Sequence, residues 1–312
     1  MLLLIQYTLL FSSVLLLVAL GGCFSEHSGV INLGLEGIMA IGALGGALTM
    51  KYLANASTGV IIISVVLASV ISGMIYSALL GIAAIGFKAD QTLIGTAMNM
   101  LATAVATVLV KSINIAENPD NVSSTVQYIN GRRAFIINAG KMQLSWFMIM
   151  AIAALVISYV VLYKTKFGLR LMACGEHPQA ANSVGIDVLK MRWAGVLISG
   201  FLGGLGGVVY ITAGVSEWKF ETGVAGFGFL ALAVMIFGQW KPHRIALAAL
   251  LFGFFRSLSN VYSGIDFLSA LNIPSTIYNM MPYIISLIVL ALTSENSRAP
   301  KAEGIPYDKG MR

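Results

Sequence analysis

Glu36 and Arg256 carry charge where charge is expensive. Glu36 lies in "INLGLEGIMAIGALGG" (31–46) and Arg256 in "LFGFFRSLSN" (251–260), both inside long apolar runs. A charged side chain at the centre of a bilayer costs about 3 kcal/mol on insertion scales, so it marks a wet path or a paired site. On a helix Glu36 shares a face with Ala40, Ala43 and Ala47, small residues suited to a bundle interior. The other reading of Glu36 is a hydrogen-bonded acid fixing the turn from Asn32 to Gly37; for Arg256 it is a side chain reaching the outer interface. Asn32 and Asn99 have the amide chemistry to hold a polar solute or to tie helices together. Phe227 and Phe229 flank a glycine at a span start, where aromatic rings either stack on a flat solute or anchor the interface.

The elements that must position these residues follow from composition. Of 312 residues, 58% are hydrophobic and 10% charged, against about 25% charged in a soluble domain. Continuous apolar runs of about 20 residues, without the alternation of a β-barrel, predict an all-α polytopic membrane protein of about 8–10 transmembrane helices. Spans are expected near 1–22, 33–50, 60–87, 93–111, 145–163, 193–213, 225–239, 245–262 and 277–293. Residues 1–293 then form a transmembrane domain with an inner loop at 164–192, and 294–312 a polar, mobile cytoplasmic tail.

Basic residues set the orientation. Loop 164–192 carries Lys164, Lys166, Arg170, Lys190 and Arg192 and is placed inside. By parity the N-terminus is outside, and Lys88, Lys241, Arg244 and the tail's Arg298, Lys301, Lys309 and Arg312 are inside. Lys51, Lys111, Arg132, Arg133, Lys141 and Lys219 fall outside, three of them in the long loop 112–144, where the rule is weaker.

Leu20-Gly21-Gly22-Cys23 has the form of a lipoprotein cleavage site. However, the first basic residue is Lys51, so the positive n-region of a signal peptide is missing and the stretch reads as the first span. Cys23 and Cys174 make no metal spacing and read as packing residues. The net charge of +6 suits a basic inner face and gives no reason to invoke nucleic acid.

Two patterns concern packing. Gly200 and Gly204, and Gly203 and Gly207, are each four apart, which lets backbones approach closely in lipid. Glycine-rich starts at 31–46 and 223–238 open spans of opposite direction, which hints at an inverted repeat with interrupted helices near a substrate path.

The inner loop is long and polar. Pro178 suits the first turn of a helix and Gly185 its end, so "PQAANSV" predicts a short exposed helix shaped to dock in a partner's groove. "QAANSVGI" resembles the coupling-helix motif of ATP-binding-cassette importer permeases, Glu-Ala-Ala-xxx-Gly, with Gln179 in place of the glutamate and Ala180, Ala181 and Gly185 at matching spacing. "TKFGLRLMACGEHPQAANSVGI" is similar to the equivalent loop of permeases for branched-chain amino acids, ribose and nucleosides. "FSEHSGVINLGLEGIMAIGAL", "KADQTLIGTAMNMLA", "GFGFLALAVMIFGQWKP" and "MPYIISLIVLAL" resemble the nucleoside branch in matching order, with departures at His27 and Leu230.

The resemblance implies a permease subunit of a binding-protein-dependent importer in the bacterial inner membrane, with nucleoside as cargo. Its partners would be a second, paralogous permease subunit, cytoplasmic ABC ATPases, an extracytoplasmic binding protein or lipoprotein, and membrane lipid. The chain has no Gly-xxxx-Gly-Lys-Ser/Thr and no hydrolase motif, so it is expected to be no enzyme and to bind no cofactor or metal. ATP and Mg would be used by the partner ATPase. Glu176, His177, Pro178, Gln179, Ala180, Ala181, Gly185 and Asp187 are the candidate coupling residues; Asn32, Glu36, Asn99, Phe227, Phe229 and Arg256 are the candidate path residues. Glu217, Trp218, Lys219 and Glu221 lie in an outer loop suited to a binding protein or to solvent. A ribose-like sugar or other small solute remains open as cargo, as does an ion-driven secondary transporter working through Glu36.

Overall fold

The computed structural model describes residues 2–139, 142–213, 215, 217–264, 274–293 and 299–310. Met1, Lys141, Arg312 and the start of the tail from Ser294 to Arg298 lie outside them. Each expected span coincides with a helix: α1 (Leu2–His27), α2 (Leu35–Tyr52), α3 (Thr58–Gly81, continued by a π-helical turn to Gly86), α4 (Gln91–Glu117), α6 (Trp146–Lys164), α9 (Val188–Ile211), α10 (Phe227–Phe237), α11 (Pro242–Val261) and α12 (Ser275–Thr293). The short α5 (Ile129–Arg133), α7 (Lys166–Glu176) and α8 (Pro178–Ser183) lie in the connections. Among the described residues, seven segments are long and apolar enough to cross a membrane. Caps start several helices: the side chains of Asp90, Ser145, Thr165 and Asp187 accept the backbone N–H of Leu93, Phe147, Gly168 and Lys190.

The glycines of α9 explain its central place. A Cβ at Gly204 would strike the Ser69 carbonyl of α3, and one at Gly207 the Met39 carbonyl of α2. Gly200 meets Ser77 and Gly73, and Gly203 meets Ile38. The two small-residue rows therefore seat two different neighbours, one on each side of the same helix. Three helices, α2, α3 and α9, reach backbone contact this way in a bundle where lipid offers no hydrophobic drive to association.

The packing repeats with inversion. α1 and α9 lie against each other, with Val18 beside Gly206 and Phe24 beside Gly195, so they run antiparallel. α9 packs on α2 and α3 as α1 packs on α10 and α11; α2 pairs with α3 and α4 as α10 pairs with α11 and α12. This is the inverted arrangement that the two glycine-rich starts suggested.

Two faces result. On one, β1 (Thr125–Gln127) pairs antiparallel with β4 (Glu217–Lys219), joining the two long connections 118–145 and 212–226. A second antiparallel pair, β2 (Ile136–Ala139) with β3 (Met142–Ser145), leads into α6. The long loop 112–144 thus carries short strands of its own. On the opposite face, Lys88 pairs with Asp308 at 2.7 Å, the Ala302 N–H donates to the Gly175 carbonyl at 2.8 Å, and the Gly304 N–H to the Gly29 carbonyl at 3.3 Å.

Those bonds correct the expectation of a mobile tail. Residues 299–310 are held because Ala302 and Tyr307, two apolar residues in a polar stretch, are buried, Tyr307 against Cys174, Ala181 and Val188. The Arg192 guanidinium, 1% exposed, sits 5.9 Å from the Tyr307 ring.

Candidate functional site

The connection 28–34 does not run along the surface; it dives between helices. The Asn32 amide donates to Ser199 Oγ at 2.8 Å while its oxygen accepts the Gly34 N–H at 3.1 Å. Asn99, on α4, accepts the Gly37 N–H at 2.8 Å and donates to the Leu33 carbonyl at 2.9 Å. The two asparagines satisfy backbone groups freed where the chain is irregular inside the bundle, as hydrocarbon demands. Their placement is that of helix ties.

From the opposite direction, residues 220–226 fold inward and α10 begins within the bundle. It has 11 residues, about 17 Å, roughly half the hydrocarbon thickness. Gly226 adopts φ +79, a conformation that favours glycine. Glu36, in the first turn of α2, spans the gap: its Oε1 accepts the Gly226 N–H at 2.7 Å and its Oε2 the Gly228 N–H at 2.6 Å. A carboxylate at a helix N-terminus meets both the free N–H groups and the positive end of the dipole. Glu36 therefore fixes the start of α10, not the Asn32–Gly37 turn. The starts of α2 and α10 touch, because Gly228 packs on the backbone of Glu36.

Beside this junction a groove of 750 Å³ opens along α4, lined by Glu36, Thr96, Asn99, Thr103, Thr107 and Phe229, among others. Phe229 is 49% exposed and presents a ring to it. Phe227 does not: it is buried between Phe11 and Tyr210, with ring centroids at 5.6 and 4.2 Å. Arg256 turns inward, its guanidinium 5.2 Å from the Phe227 ring and hydrogen-bonded to Tyr210, so it does not reach for the interface. Of the six candidate path residues, three line one groove. The threonines were missed, although Thr92, Thr96, Thr103 and Thr107 stand at helical spacing in an apolar span, a legible polar stripe.

The predicted short helix is α8. Pro178 stands at its first position, and Gly185, at φ +85, ends it. Pro178 and Ala181 face inward; Gln179, Ala180 and Asn182 are exposed, and Val184 is 75% exposed. Glu176 and His177 are exposed where α7 meets α8, and Asp187 opens α9 with an ion pair to Lys190 at 3.3 Å. Bonds from the Lys190 backbone and ammonium hold the Asp187 carboxyl below the usual range. The outer residues are partly committed: Glu221 pairs with Lys111 and Lys219, each at 2.8 Å, and the Trp218 N–H donates to the Gly223 carbonyl. Cys23 is buried within α1, its thiol donating to the Trp240 carbonyl. Among the described residues no three His, Cys, Asp or Glu side chains gather as metal ligands.

Where the tail meets α1, the Glu303 carboxyl hydrogen-bonds Glu26, whose Oε2 accepts the Trp240 indole N–H at 2.5 Å; His27 meets the Trp240 carbonyl at 3.0 Å. Burial raises Glu303 to about 7. A raised acid favours the docked state when protonated, so docking is strongest below about pH 4, the ordinary range, and weakens as pH rises through 7. Hydrogen exchange at the Ala302 and Gly304 amides checks this. Protection, corrected for intrinsic exchange, should fall as pH rises from about 4.5 to 7 and level off above that, and Glu303→Gln should flatten the fall.

The chain matches the family described as "Branched-chain amino acid transport system / permease component" over residues 4–292. It is similar to the guanosine ABC transporter permease protein NupQ of Bacillus subtilis, with 41% identity over 98% of this chain and 96% of that protein. The nucleoside ABC transporter permease protein NupC of Lactococcus lactis is 38% identical over 96% and 95%. The putative glucose ABC transporter permease protein TsgC13 of Haloferax volcanii is 30% identical over 82% and 76%. No solved structure matches. With its apolar helices and near-complete alignment, this multi-pass membrane protein belongs to the permease component family of the branched-chain amino acid transport type.

Proposed function

We propose that the chain is one permease subunit of an ATP-driven importer of nucleosides, with the α4 groove as its share of the path. Near-full-length similarity to permeases named for guanosine and for nucleosides carries the cargo. The groove's chemistry supports it: the Thr96 and Thr103 hydroxyls donate their protons to carbonyls of their own helix and so present oxygens that can accept from ribose and base, and Phe229 offers a ring for stacking. The groove is open on one side and is closed by a second permease subunit. Both bacteria named above hold a further, more distant permease relative, NupP and NupB, which supports a paired arrangement.

Energy enters through α8. A cytoplasmic ABC ATPase, using ATP and Mg, seats the exposed edge from Gln179 to Val184, and an external binding protein delivers substrate. The basic loop 164–192 supports an external N-terminus and a cytoplasmic C-terminus. Closure of the ATPases moves α7 and α8 and tilts the two inverted halves between outward and inward states.

The test is uptake of labelled nucleosides and ribose into proteoliposomes holding the chain with its co-purifying partners, with or without internal ATP. Uptake should require ATP, be competed by nucleosides and not ribose, and drop to background when Gln179–Gly185 is scrambled. Competition by ribose alone would move the cargo to sugars, in line with the glucose-named relative. Uptake by this chain alone, driven by an ion gradient and indifferent to the scramble, overturns the reading.

A further inference from the structure

A second cavity, of 670 Å³, lies on a different part of the bundle, where α6 packs on α1 and α7 and leaves a cleft over α9. Met150, Ala154, Ile157 and Val161 form one wall, Ala194 and Phe201 the other; Ser158 is the one polar side chain in the lining. Neither the α4 groove nor α8 takes part in it.

Its length is informative. On α6 the lining runs from Met150 to Val161, and on α9 from Ala194 to Leu205. Each stretch is about 17 Å at 1.5 Å per residue, close to half of the roughly 30 Å hydrocarbon core. The cavity is thus one leaflet deep. A helix of a partner protein would run the full thickness, whereas an acyl chain ends at the midplane.

Its mouth is cationic. Lys164 lies one turn beyond Val161, Arg170 one turn beyond the lining residue Phe167, and Lys190 one turn before Ala194, with Lys166 beside them. Lys164, Lys166 and Arg170 are exposed and make no ion pair among the described residues; Lys190 holds Asp187. Basic clusters at the membrane surface between spans attract anionic headgroups at about 1 kcal/mol per residue.

We propose that this cleft is a binding site for one anionic phospholipid of the leaflet bordering α7 and α8. One acyl chain lies between α6 and α9, and the phosphate sits among Lys164, Lys166, Arg170 and Lys190. The lipid fills the space between α6 and α9 just before α7 leads to α8, so it holds the base of the coupling hairpin. The inference rests on the chain's embedding in a membrane and not on the cargo.

The complex with its co-purifying partners, in detergent, is titrated with phosphatidylglycerol or phosphatidylcholine and read by native mass spectrometry. The expected result is one retained phosphatidylglycerol, with phosphatidylcholine retained at least about tenfold less. Lys164→Gln/Lys166→Gln/Arg170→Gln should remove that preference, and Ala154→Phe, which fills the cleft, should remove retention of both lipids. Each variant is first shown to be monodisperse with wild-type helix content. Equal retention of the two lipids, or retention unchanged by both variants, overturns the site. So does a photocrosslink to a partner subunit from an Ala194→Cys variant labelled with a cysteine-directed benzophenone, which would place protein there. These readouts do not involve uptake, so they stand or fall apart from the nucleoside assignment.

Discussion

Gly204→Val should disrupt the bundle severely. Its added atoms point at the Ser69 carbonyl and the Gly73 Cα, which are backbone and cannot rotate aside. α3 and α9 must separate, and separation removes contacts along both helices. Overpacking of this kind costs about 1–3 kcal/mol and more when backbone must move. Gly207→Val does the same on the other side, against Met39 of α2. Gly59→Ala is the control, since nothing lies within 4 Å of a Cβ there. Melting of the purified protein, followed by size-exclusion recovery after heating, should show large losses for Gly204→Val and Gly207→Val and almost none for Gly59→Ala. Similar stability in all three would mean that α9 does not sit at the crossing of α2 and α3.

Much of this was legible because the chain's constraints are local. Span positions follow from apolar run length, the α9 contacts from glycine spacing, and α8 from a proline and a glycine seven residues apart. The relative sidedness of the loops followed from basic residues, and the β1–β4 pairing and the tail contacts agree with it. The partners of polar groups were not legible. Nothing local in "NLGLEG" says that Glu36 reaches residues 226 and 228, and that pairing made the acid a support of α10. Phe227 and Phe229 are two apart in sequence, yet helix geometry sends one into the core and the other into the groove. The tail's polarity concealed a few apolar anchors: Tyr307 and Ala302 are enough to seat it once Gly29 and Gly175 offer carbonyls.

Glu36→Ala should abolish uptake. It strands two backbone donors at the start of α10, and a hydrogen bond to a charged acceptor contributes about 1.5–3 kcal/mol. Losing both is enough to unwind the first turn, which carries Phe229. Glu36→Gln separates support from substrate contact. Its amide oxygen still accepts one N–H, but its NH2 group opposes the other, so α10 loosens and does not collapse. If Glu36 acts through α10, Glu36→Gln and Phe229→Ala should each raise the substrate concentration for half-maximal uptake by about tenfold. The double variant should be little worse than either alone, because both changes undo one arrangement. If Glu36 holds substrate by itself, the two losses should multiply. An ion-driven carrier working through Glu36 predicts a third pattern, in which Glu36→Gln removes gradient dependence and leaves ATP irrelevant. Wild-type uptake by Glu36→Ala would sink all three readings, because every one of them needs that carboxylate where two helix starts meet.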